Sequence, residues 1–175
     1  MNGGASTGEP ALTRDLADRR AEDRALGDAL AGLLGHLRGF AYARFYGRPE
    51  EALCDEADRF VGRLAKHLRY VEETLFPALG QVEPRFAQDI EALKNEHRRF
   101  DSYTRDLAVR ILGGDKEGAY EVGRTFLAVL LDHIRRETAG VDRFVHCLDA
   151  FDARRMSEAM AEGRRPSDRD ESLNR

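Results

Sequence analysis

Cysteine is scarce in this chain of 175 residues. Cys54 and Cys147 lie far apart, with no CxxC or Cys/His spacing, which excludes a disulfide framework and a zinc knuckle. No uninterrupted apolar run is long enough to span a bilayer, and the small, polar opening Met1–Glu9 lacks the basic-then-apolar plan of a secretory leader. A cytoplasmic protein without a membrane partner is the expectation. Lysine is limited to Lys66, Lys94 and Lys116, arginine carrying the remaining positive charge, and the net charge is −4. No basic stripe interleaved with aromatics appears, so nucleic acid has little to hold. Also missing are a Ser/His/Asp or Cys/His arrangement and a phosphate-binding loop, so no catalytic motif assigns an enzyme.

What is present is helical periodicity. With 42% hydrophobic residues, nine Phe and five Tyr, the chain supports one compact core. Residues 1–12 read as a disordered lead. A first helix is expected from Thr13 to about Tyr46, with Leu26, Leu30, Leu33, Leu37 and Phe40 forming one apolar stripe. A second follows Pro49 and runs to about Leu79, a third opens near Pro84, and a fourth begins near Lys116. The stretch Phe144 to Phe151 prolongs the fourth helix or forms a short fifth. Residues 153–175 read as a polar, disordered tail. The expectation is an all-α fold over residues 13–152, an up-down-up-down antiparallel four-helix bundle with polar N- and C-terminal extensions.

Each predicted helix carries one histidine: His36, His67, His97 and His133. In an antiparallel pair, residues equidistant from the turn share a height. His67 and His97 have their midpoint at residue 82, inside Gly80–Pro84, and His97 and His133 at residue 115, inside Gly113–Lys116. For His36 and His67 the midpoint falls between 51 and 52, just past Gly47-Arg48-Pro49, an expected offset of roughly 3–5 Å at about 1.5 Å per residue. Four imidazoles at one level in a bundle core point to a metal, because each would otherwise need its own buried partner. Glu137, one turn after His133, adds a carboxylate to the same face, or else forms an ion pair with an arginine such as Arg136 or Arg143. Asp101 stands in the same relation to His97, although it can equally face outward beside Phe100 and Thr104. On the second helix the residue four after His67 is Val71, and Glu72 is displaced by about 140° on an ideal helix. Glu72 therefore serves as a ligand only through a local bulge or a long reach, and otherwise as a rim residue. His146, thirteen residues beyond His133, reads as a surface or structural histidine.

The segments HLRYVEETLFPAL from His67, NEHRRF around His97 and LLDHIRRE ending at Glu137, with His36 upstream, resemble the hemerythrin-like HHE cation-binding family over roughly residues 22–145. The resemblance implies a helical bundle holding a non-heme di-iron centre bridged by carboxylates. Members use it to bind dioxygen, to sense oxygen, nitric oxide or peroxide, to store iron, or to aid repair of iron-sulfur centres. Carried over by position, His36, His67, His97, His133 and Glu137 match the pattern of one His, His-x3-Glu, one His and His-x3-Glu. The departures are Val71, where a bridging Glu is expected, and Thr138, where other members carry an acid. They set a mono-iron or altered site beside the di-iron one. The leading expectation is an iron protein taking a small gas or peroxide as ligand. The alternatives are a bundle with a degenerate or metal-free site serving as a protein-interaction module, and a catalyst of peroxide or nitric oxide reduction.

Overall fold

A computed structural model of the chain describes residues 8–42 and 50–163. Its elements are α1 (Gly8–Tyr42), α2 (Glu50–Tyr70), a π-helical turn (Val71–Leu75), α3 (Phe76–Val82), a 3-10 turn (Pro84–Phe86), α4 (Ala87–Leu112), α5 (Lys116–Cys147) and α6 (Ala150–Gly163). Among the described residues there is no strand, and no helix is long and apolar enough to cross a membrane. The expected break at Gly47-Arg48-Pro49, residues 1–7 of the expected lead and the tail beyond Gly163 lie outside the described residues.

The α1 stripe is longer than its leucines alone suggest. Leu12, Leu16, Leu26, Leu30, Leu33 and Leu37 are buried, and the same alternation of three and four passes through two buried charged residues, Arg19 and Asp23. Spacings of three and four keep one face turned to the core over a long helix. That face packs on α2 and α5, while α4 packs on α5 and α2. Paired residues run in opposite chain directions. Glu22 meets Lys66 and His36 meets Glu56 across α1 and α2. Arg20 meets Asp142 and Gly123 lies against Leu34 across α1 and α5. Phe100 on α4 meets Phe126 on α5, and Phe86, in the 3-10 turn before α4, meets Phe144 on α5. The turn from α4 to α5 is tight because Gly114 takes φ 75°, a left-handed conformation that glycine adopts without a Cβ penalty. Asp115 then caps α5 by accepting a hydrogen bond from the Gly118 amide at 2.9 Å.

Two apolar clusters fill the interior. One gathers Leu30, Leu33, Phe60, Phe100, Phe126 and Leu130; the other gathers Leu16, Leu75, Phe76, Phe144, Met156 and Met160. The second cluster corrects the expectation of a disordered tail from residue 153. Residues 150–163 form α6, which packs on α1 and α3. Ala153, Met156 and Met160, spaced by three and four, bury a narrow stripe that the polar composition around them obscures. The N-terminal limit also moves: α1 starts at Gly8 rather than Thr13, with Leu12 already buried.

Between the two clusters, each of α1, α2, α4 and α5 places buried polar side chains. These are Arg19 and Asp23 on α1, His67 on α2, His97 on α4, and His133 and Glu137 on α5. A charged layer therefore lies between two oily ones.

Candidate metal centre

His67, His97, His133 and Glu137 are buried, and each offers a ligand atom lying within 4.8 Å of the other three. The Nε2 atoms of His97 and His133 are 3.0 Å apart. Glu137 Oε2 is 3.1 Å from His133 Nε2, 3.8 Å from His67 Nε2 and 3.9 Å from His97 Nε2.

What surrounds the three rings fixes which nitrogen faces inward. His67 Nδ1 lies 3.0 Å from Asp23 Oδ1, His97 Nδ1 2.7 Å from Glu72 Oε1, and His133 Nδ1 2.8 Å from Glu96 Oε2. An ionised carboxylate can only accept, so each Nδ1–H donates outward, which leaves each Nε2 facing the centre. The three Nε2 atoms and Glu137 Oε2 thus converge, and among the described residues His67 Nε2 is buried with no hydrogen-bond partner. Buried acceptors in such a cluster are satisfied by a cation. Three imidazole nitrogens and one carboxylate oxygen form a donor set suited to a divalent transition metal, and the outward carboxylates are the partners that orient metal-binding histidines.

The electrostatics agree. Burial works against a charged Glu137, but the neighbouring His133 and His97 imidazoles, with Arg19 and His67 beyond them, outweigh it and hold the carboxyl well below its ordinary range. Burial likewise opposes ionisation of Glu96, yet the Arg136 fork, at 2.5 and 2.8 Å, together with His133, keeps it lowered. Both carboxylates therefore stand ionised at neutral pH.

The expected ligands divide three ways. His67, His97, His133 and Glu137 come together. Glu72 reaches the site from outside: the π-helical turn supplies the local widening its position on α2 required, and its carboxylate grips His97 Nδ1 rather than facing the centre. Val71 takes the inward position and is fully buried in the apolar cluster. A Glu72→Gln substitution keeps the side chain's size and, with Glu72 itself 42% exposed, leaves thermal stability within about 0.5 kcal/mol. It lowers metal affinity by about 10- to 100-fold in a chelator competition, because His97 loses its carboxylate partner.

His36 and Asp101 stand apart. His36 is half-buried, pairs with Glu56 and lines a cleft of about 400 Å³ between α1 and α2 with Asp28, Arg59 and Arg63. It lies thirteen residues from Asp23, roughly 20 Å along α1 at about 1.5 Å per residue. The expected small offset was wrong because the pairs His36–Glu56 and Asp23–His67 centre on residues 46 and 45, before the Gly47-Arg48-Pro49 break, whereas His36 and His67 have their midpoint between 51 and 52. A displaced midpoint counts twice in height, so the offset is about eleven to thirteen residues, or roughly 16–20 Å. His36→Ala consequently leaves the metal content per chain unchanged and affinity within about twofold, as expected for a site this remote. Asp101 is exposed: Phe100 and the half-buried Thr104 hold the inward face of α4, turning Asp101 to solvent. His146, as expected, is exposed.

Three residues escaped the sequence reading: Arg19, Asp23 and Glu96. The first two carried a signal, since extending the leucine spacing backward from Leu26 lands on Asp23, Arg19, Leu16 and Leu12. Glu96 carried none, being one of several acids on an exposed-looking helix.

Three histidines and one glutamate buried together in a helical protein fit a cation-binding site. Residues 11–141 match the hemerythrin HHE cation binding domain, and the chain belongs to that family. No curated protein and no solved structure gives a significant match to the chain.

Proposed function

We propose that this chain is a hemerythrin-like iron protein of the cytoplasm that binds or senses dioxygen, nitric oxide or peroxide. The observation that carries this reading is the buried convergence of three Nε2 atoms and Glu137 Oε2, with His67 Nε2 left without a hydrogen-bond partner among the described residues. Mixed imidazole and carboxylate donors suit ferrous and ferric iron, and an ion held by His67, His97, His133 and Glu137 would be open to a small ligand. The chemistry such an ion supplies is ligation of small molecules and one-electron exchange with them. Around it, the residues of the chain have defined tasks. Asp23, Glu72 and Glu96 hold the rings in the metal-binding tautomer, Arg136 steadies Glu96, and Phe76 stacks on His97 at 5.8 Å to close the apolar side. The helix pairings support an up-down-up-down four-helix arrangement of α1, α2, α4 and α5, with α6 laid across α1 and α3. Two free thiols, Cys54 and Cys147, fit a reducing compartment.

The test is an anaerobic iron titration of chelator-stripped protein, followed by absorption and electron paramagnetic resonance spectra before and after nitric oxide or air. Stoichiometric iron and a ligand-dependent spectrum are expected, both lost in His97→Ala. No bound iron, or iron whose spectra ignore both gases, would sink this reading and favour a metal-free interaction module.

A further inference from the structure

The side of Glu137 turned away from the three histidines is occupied. Oε2 faces the imidazoles, while Oε1 accepts a hydrogen bond from the Arg19 guanidinium. Arg19 is itself buried, with Nε 3.5 Å from Asp23 Oδ2 and Cζ 5.4 Å from the centre of the Tyr70 ring, so it is fixed on three sides. Glu137 thus has the arrangement of a carboxylate shared between two cations, one of which is built into the chain.

We propose that Arg19 takes the place of a second metal ion, so that the centre holds a single divalent cation with a permanent guanidinium beside it. This rests on the cation-binding reading above and specifies how many ions that centre accepts.

Space and charge agree. The cavity between α1 and α5 beside Arg19, Glu137 and Thr138 measures about 10 Å³, the room for no more than one water molecule. Thr138, half-buried on that wall, offers no charge to a second ion. Among the described residues, four carboxylates touch the rings, Asp23, Glu72, Glu96 and Glu137, and two guanidiniums touch those carboxylates, Arg19 and Arg136, the second shared with Asp132. With the imidazoles neutral as metal ligands, the buried charged residues Arg19, Asp23 and Glu137 carry one net negative charge, which one divalent ion already outweighs. A second would add two more positive charges to the buried layer next to Arg19, which is costly.

The experiment is an anaerobic cobalt(II) titration of chelator-stripped protein, followed by the visible absorption bands and by elemental analysis after desalting. Wild type and Arg19→Lys are expected to saturate at one cobalt per chain. Arg19→His removes the fixed cation and adds an imidazole next to Glu137 Oε1 and Asp23 Oδ2, and it is expected to take up a second cobalt with a distinct absorption band. Two cobalt ions in wild type overturn the proposal while leaving the cation-binding reading intact, and this count decides even if Arg19→His folds poorly. A folded Arg19→His that stops at one ion also overturns it. No cobalt in wild type overturns the cation-binding reading and this proposal with it.

Discussion

Replacing Glu137 with alanine lowers the unfolding free energy of the metal-free protein by about 3–5 kcal/mol, the range for breaking one half of a buried ion pair. The size of the effect comes from what stays behind. Arg19 and Glu137 are 7% and 2% exposed, so the variant keeps a guanidinium in the interior whose main counter-charge has gone. Asp23 at 3.5 Å compensates only in part. Glu137→Gln retains an oxygen that can accept from Arg19 and loses less. Urea unfolding of chelator-treated protein at neutral pH measures both, and a loss below about 1 kcal/mol for the alanine variant, the scale of a surface pair, would refute a trapped charge. The pH dependence has a definite sign. A carboxyl held below its ordinary range contributes stability that is fully present above its unfolded pKa of about 4.3 and is lost as the pH falls from there toward the lower folded value. Metal-free wild type therefore weakens on acidification below about pH 4 by an increment that Glu137→Ala does not show.

His133→Ala abolishes metal binding for practical purposes, lowering affinity by more than about 100-fold, beyond the range expected for loss of an outer partner alone. His133 is fully buried and has the shortest Nε2 approaches in the centre, to His97 and to Glu137. Removing it also strands the orienting contact from Glu96. Competition against a chromophoric chelator reads the change, and His146→Ala on the same helix provides the control. Retained affinity in the His133 variant would show that the ion sits elsewhere. Three histidine ligands must be neutral to bind, so protons compete with the metal and acid releases it.

The contrast between His133 and His36 shows what was legible from sequence. Turns near residues 82 and 115 are marked by glycine and proline, so the heights of His67, His97 and His133 followed from counting. The α1 to α2 connection offered Pro49 as its marker, yet the helix pairings centre three or four residues earlier, and doubling that shift carried His36 out of the layer. Periodicity held the better answer. His36 lies off the α1 stripe, next to Leu37, whereas Arg19 and Asp23 lie on it. Charged residues at core spacing read as surface when a stripe is traced through leucines alone. Glu72 was undetermined for another reason: its contact depends on a π-helical turn, and the sequence VEETL carries no local mark, such as proline or glycine, that announces one. The α6 stripe was hidden by composition, because three small or flexible apolar residues among charges resemble a solvated segment.

The charged layer between two apolar clusters also bears on how the chain finds its alignment. A stripe that repeats every seven residues is ambiguous in height: slide α1 along its neighbours by seven and leucine still meets an apolar wall. Such a slip would carry Arg19 to the level of Leu26 or Leu12, and Asp23 to that of Leu30 or Leu16, stranding two charges in hydrocarbon. The unslipped alignment alone gives Arg19 its Glu137 and Asp23 its His67. The same polar residues that prepare a place for a cation thus act as a key for helix register, rejecting misaligned packings before any metal arrives.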